Sequence, residues 1–171
     1  MNFSKRLDLF GDEIFAALNE RRLELEKQGK KIFNMSVGTP DFHTPDHIKK
    51  ALMDAAADDQ NWRYSLRDLP ELLDAVCAYY KKRFHVEITP DMVMSVYGSQ
   101  EGMGHLGMTL CDEGDVVLLP DPCYPVFAAG SKLGGAVPYY YPLIAEHDFL
   151  PYVKDIPEDV ARRARYMVVS L

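Results

Sequence analysis

The sequence predicts an α/β fold, a mostly parallel sheet flanked by helices, on two observations. From residue 92 onward, short apolar runs of strand length alternate with stretches of helical periodicity, the pattern of strands joined by crossover helices. At 171 residues and 47% hydrophobic, the chain also has enough apolar material for a core of ordinary size without disulfides or a metal to staple it.

Taken in order, Phe10, Ile14, Leu18 and Leu25 keep helical spacing in a segment rich in Glu and Arg. Gly29 is placed to stop that helix, which is expected over 11–28. Phe33, Met35 and Val37 alternate with Asn34 and Ser36, the period of a half-buried strand, before Gly38-Thr39-Pro40-Asp41 turns the chain. Thr44 is positioned to cap a helix with Pro45 in its first turn. Ile48, Ala51, Leu52, Ala55 and Ala56 then make one apolar face. Asp68-Leu69-Pro70-Glu71 has the form of a capping box, opening a helix whose buried stripe would be Leu72, Leu73, Val76, Cys77, Tyr80 and Phe84. Thr89-Pro90-Asp91 breaks it. The spacing next predicts strand 92–97, helix 100–111, strand 116–119, helix 125–133, strand 136–141, a short helix 157–163 and strand 166–171. Tyr139, Tyr140 and Tyr141 alternate faces, so one buries while its neighbours do not. The last strand runs straight into Leu171, whereas ligand groups of α/β sheets gather in loops beyond the carboxyl ends of strands. A chain truncated on its C-terminal side is therefore expected.

Charge and composition narrow the function. A net charge of −7 with scattered basic residues argues against a nucleic-acid partner, which would need clustered Lys and Arg. Arg162, Arg163 and Arg165 sit beside Glu158 and Asp159, as on a solvated helix face. Cys77, Cys111 and Cys123 are odd in number and form no CxxC pair, which fits a reducing compartment, so the cytoplasm is expected. Lys5 and Arg6 are followed by Asp8, Asp12 and Glu13 rather than by the apolar core of a signal peptide. There is no apolar run of about 18 residues, so no membrane partner is expected. His43 and His47 are four apart, but Pro45 lies between them and the first precedes the helix, which argues against a metal pair.

Two segments carry chemistry. Tyr97-Gly98-Ser99-Gln100-Glu101-Gly102 joins an apolar strand to an apolar helix. The free N–H groups and dipole of such a helix start favour an anion, Ser99 can donate to a phosphate oxygen, and Gly98 lets the backbone come close. The same residues also suit an ordinary helix cap. The glycine spacing is neither that of a Walker A loop nor of GxGxxG. Leu119-Pro120-Asp121-Pro122-Cys123-Tyr124-Pro125 follows the next strand and so lies on the same sheet edge. Tyr124, held between prolines, is either a platform for a flat heterocycle or a loop tyrosine packed on its own domain.

Five motifs in register over residues 34–125 resemble the class I/II, fold-type I aminotransferases, which use pyridoxal 5'-phosphate (PLP). They are Asn34-Met35-Ser36-Val37-Gly38-Thr39-Pro40-Asp41-Phe42; Arg63-Tyr64 with Leu69-Pro70-Glu71-Leu72; Gly98-Ser99-Gln100; Asp112-Glu113-Gly114-Asp115-Val116-Val117; and Asp121-Pro122-Cys123-Tyr124-Pro125. The match is closest to the branch with LL-diaminopimelate and alanine-type aminotransferases. The resemblance implies a partial PLP-transferase fold: residues 1–45 as N-terminal arm and small-domain segment, and 46–171 as the first half of the large domain. It implies that Ser99 and Gln100 bind the cofactor phosphate, that Tyr124 stacks on the pyridine ring, and that Tyr64 reaches the phosphate of the neighbouring subunit in a homodimer. Gly38 would lie near the substrate carboxylate. Asp68 stands where the family usually has glycine, which puts the turn after Tyr64 in question.

The family pattern would continue beyond Leu171 with the cofactor-binding lysine and the carboxylate-binding arginine. Lys132 and Lys154, the lysines after the phosphate loop, read as surface residues. The expected activity is therefore amino-group transfer between an amino acid and a 2-oxo acid, with this chain inactive alone and contributing no catalytic residue and no metal site. A PLP-dependent C–S lyase, a non-catalytic phosphate-binding or interaction module, and one half of a split PLP enzyme remain as alternatives.

Overall fold

A computed structural model describes residues 3–11, 14–35, 38 and 40–170, without the side chains of Arg6 and Ile14. The described residues form two compact units, one of residues 12–95 and one of residues 1–11 with 96–171.

The second unit holds the sheet. Strand β1 (Val116–Asp121) lies between β2 (Val137–Pro142) and β3 (Ala164–Met167), parallel to both. Helix α4 (Ser99–Leu110) precedes β1, α5 (Pro125–Leu133) links β1 to β2, and α6 (Glu158–Arg163) leads into β3. This is the α/β fold with parallel strands that the alternation predicts. Because side chains alternate along a strand, β1 feeds two cores. Val117 and Leu119 are fully buried against Phe127 and Ala128 of α5, whereas Val116 and Leu118 pack with Tyr141, Ile156 and Val160 on the other face. Of the tyrosine run, Tyr141 is buried and Tyr140 exposed, as alternation requires. The Tyr141 hydroxyl crosses β1 and donates to the carbonyl of Val168 at 2.5 Å, while the Val168 N–H bonds Leu118 O at 2.9 Å. Ser131, fully buried, satisfies its hydroxyl on Phe127 O (2.7 Å) beside Tyr166 OH (3.2 Å).

The other unit contains α1 (Ile14–Lys27), α2 (Asp46–Ala56) and α3 (Pro70–Phe84). None of its described residues is buried. Ile48 and Leu52 on α2 are exposed. On α3, Leu73, Val76 and Cys77 are half-buried, but Leu72, Tyr80 and Phe84 are exposed, so the expected stripe is only partly covered. Tyr80 and Phe84 instead meet with ring centroids 5.4 Å apart.

Several local expectations are corrected. Residues 33–35 form no strand, and Ser36 and Val37 lie outside the described residues; period-two alternation needs a neighbouring strand, and none pairs here among the described residues. Helix α2 starts one residue later than expected, with Pro45 at its cap and no side-chain cap bond, so Thr44 stands too far out to serve. The Asp68 capping box does not form: Leu69 caps α3, and Asp68 turns to Ser95. Helix α3 ends at His85, which takes a left-handed conformation (φ 59°) and returns its N–H to Lys81 O, ahead of the expected break at Pro90. Residues 90–92 make a 3₁₀ turn, and residues 93–96 have no ladder partner among the described residues, so 92–97 is not a strand.

Candidate active site

The carboxyl end of β1 and the amino ends of α4 and α5 share one edge of the sheet unit. Gly98 caps α4 with φ +87°, a conformation that a residue with a Cβ rarely adopts. Ser99 and Gln100 then occupy the first two helical positions, where helix geometry leaves the backbone N–H groups without an acceptor inside the helix. Both side chains are exposed. Glu101, at the third position, accepts the Tyr97 N–H at 2.6 Å; its carboxylate stabilises the helix start and opposes an incoming anion.

Tyr124 reaches the same place from α5. Pro125 begins that helix with Tyr124 as its cap, and the tyrosine ring meets Phe127 edge-on at 6.0 Å. The Tyr124 hydroxyl donates to Oε1 of Gln100 at 3.2 Å, and 42% of the residue is exposed, leaving apolar ring surface accessible. The structure therefore brings Ser99, Gln100 and Tyr124 together. Tyr64, 89% exposed, and Gly38 belong to the unit of residues 12–95. A Cβ built on Gly38 meets nothing within 4 Å.

Sequence reading missed what sets the distance between the two helix starts. A Cβ on Gly107 would lie 2.3 Å from Gly130 O, one on Gly130 2.5 Å from Met103 O, and one on Gly134 2.3 Å from Gly107 O. The backbones of α4 and α5 touch, so glycine is required for the approach. The signal was available in Gly104, Gly107, Gly130 and Gly134, placed three or four apart on consecutive helices.

Asp68, the departure in the loop after Tyr64, accepts the Ser95 N–H at 3.1 Å and the Ser95 hydroxyl. These bonds, the hydroxyl first, hold its carboxyl below the usual range. At the opposite end of the sheet from Tyr124, Asp115 is lowered by the Asp112 N–H and then by Arg165, whose Nε donates to it at 2.7 Å. Cys123, next to Tyr124, is raised by burial and by Asp121, so its thiol is not activated. A cleft of about 610 Å³ lies at the amino ends of β1 and β2, lined by Leu9, Cys111, Lys132 and Val137 among others; it contains none of the candidate residues.

Residues 30–170 match the family model of aminotransferase class I and II. The chain belongs to this family. Class I and II aminotransferases are PLP-dependent. The chain is 39% identical over 172 residues to an LL-diaminopimelate aminotransferase of Dehalococcoides mccartyi, with 99% of this chain and 44% of the relative covered. It is 38% identical over 170 residues to the LL-diaminopimelate aminotransferase of Aquifex aeolicus, covering 98% and 44%. Among solved structures it is similar to an alanine aminotransferase from Pyrococcus furiosus, with a TM-score of 0.85, 31% identity, and 97% and 43% of the two chains covered. The chain thus spans under half the length of the aminotransferases it matches. The residues at this edge fit PLP in kind: backbone N–H groups, a hydroxyl and an amide suit a phosphate, and a partly open tyrosine ring suits a pyridine.

Proposed function

We propose that this chain is the cofactor-gripping part of a PLP-dependent aminotransferase that moves an amino group between an amino acid and a 2-oxo acid. PLP supplies the electron sink for that reaction. Ser99, Gln100 and the first amides of α4 hold its phosphate, and Tyr124 stacks on its ring and limits water access to that face. The observation that carries this reading is the Tyr124–Gln100 hydrogen bond of 3.2 Å, which joins the ring platform and the phosphate loop on one sheet edge. The same reading divides the chain at residue 45 between arm or small domain and large domain, and places the enzyme in the cytoplasm as a homodimer. In that dimer Tyr64 reaches the neighbour's phosphate, and Gly38 offers its backbone near the substrate carboxylate. LL-diaminopimelate is the substrate that the relatives' names favour, and C–S bond cleavage is the competing outcome on the same half-site.

With no lysine in the matching context, the chain binds PLP weakly and does not turn it over. Addition of PLP is expected to give binding that dialysis removes and that Tyr124→Ala abolishes. A visible absorption band that survives dialysis, or turnover by the homogeneous 171-residue protein, would overturn the inactive-alone reading. A second reading, half of a split enzyme or a non-catalytic interaction module, is favoured by exposed apolar side chains: Tyr97 is 98% exposed and Met94 78%. An adjacent reading frame containing the lysine motif would select the split enzyme.

A further inference from the structure

We infer that the Tyr124 hydroxyl, and not only its ring, belongs to the anion site: it orients the Gln100 amide and thereby makes the site prefer a phosphorylated ligand. The inference rests on the reading that this edge takes PLP, and adds a role for an atom that ring stacking does not use.

A glutamine amide carries an acceptor at one end and a donor at the other. Only the nitrogen end attracts a phosphate; the carbonyl end repels it. Gln100 is exposed at the second position of α4, and left alone its three side-chain torsions would let either end face the ligand. Tyr124 removes that freedom. It sits between Pro122 and Pro125, caps α5, and rests against Phe127, while Gly107, Gly130 and Gly134 keep α5 at backbone contact with α4. From that fixed base its O–H donates to Oε1 of Gln100 at 3.2 Å. With Oε1 engaged, Nε2 is the end left to donate to an anion. The bias matters more because the Glu101 carboxylate lies one residue away. A site with a negative side chain in its first turn depends on its neutral donors being correctly presented. Tyr124 is on this account a positioning residue for the phosphate as well as a platform for the ring.

The test separates hydroxyl from ring and phosphate from pyridine. Wild type, Tyr124→Phe, Gln100→Ala and the double variant are titrated calorimetrically with pyridoxine 5'-phosphate and with pyridoxine. Neither carries an aldehyde, so surface lysines do not capture them. Far-UV circular dichroism checks that each variant keeps its helices. Tyr124→Phe is expected to weaken pyridoxine 5'-phosphate by about fivefold, the size of one neutral hydrogen bond, and to leave pyridoxine unchanged. Gln100→Ala should give the same selective loss, and the double variant should be no worse than Gln100→Ala, because the hydroxyl acts through the amide. Equal phosphate affinity in wild type and Tyr124→Phe, or additive losses, overturns the inference while leaving the half-site intact. A gain in phosphate affinity in Tyr124→Phe also overturns it, since the amide would then have faced the ligand with its oxygen. A wild type with no preference for the phosphorylated compound removes both the inference and the phosphate-loop reading beneath it.

Discussion

Asp68 illustrates how far a single residue can be read from its neighbours in sequence. Local rules place it as a helix cap, because an acidic residue three positions before Glu71 has that form. Its partner is instead Ser95, 27 residues away, and no rule of spacing reaches so far. The placement of Ser99, Gln100 and Tyr124 at two helix starts was legible for the opposite reason: Gly98 before one helix and the prolines flanking Tyr124 at the other are written locally. For Asp68 the bonds from Ser95 set the sign of its titration. They stabilise the ionised form, so its folded value lies below its unfolded one. The contribution to stability is complete above the unfolded value and is lost as pH falls through the folded one. Ser95→Ala is expected to raise the Asp68 midpoint toward that of a free aspartate, read from its carboxyl carbon by NMR; an unchanged midpoint would show that the bonds do not form in solution.

Among the elements, the helices and the sheet-bearing half were legible, and residues 33–35 and 92–97 were not. A helix meets its hydrogen bonds within its own segment, so periodicity and caps suffice to announce it, whereas a strand is completed only by a neighbour. The glycines of α4 and α5 lie between these cases, since their spacing is visible but their partner is not. Their roles should separate under substitution. Alanine is the better helix former by about 0.5–1 kcal/mol, so Gly102→Ala, whose new methyl would meet Val96 at an ordinary 3.7 Å, should stabilise the protein by up to that amount. Gly107→Ala would press a methyl onto the Gly130 carbonyl, which as backbone cannot swing aside, and should cost about 1–3 kcal/mol despite the better propensity. Urea unfolding of the two variants decides; similar midpoints would mean that the helices separate without penalty.

At the scale of the whole molecule, burial among the described residues is confined to one unit. The core residues Val116, Val117, Leu118, Leu119, Ala136, Tyr141 and Val168 belong to the sheet unit, while α2 and α3 expose Leu52 (71%) and Phe84 (50%). Apolar patterning announced faces on all these helices but could not say which would be covered, because the pattern records what a face can bury and not what meets it. Resistance to local opening should follow the burial. In native-state hydrogen exchange, the amides of β1 are expected to exchange slowest and those of α2 and α3 fastest among the helices. Uniform protection across both units would contradict this distribution.

The phenol of Tyr141 gives the sheet a property that its ladders alone would not. Strands β2 and β3 never pair with each other, yet the hydroxyl carried by one reaches over β1 to the carbonyl that follows the other. A pull on the chain beyond Val168 therefore loads both outer strands at once. The rungs between β1 and β3 cannot be peeled in sequence from that end until the brace across the middle strand lets go.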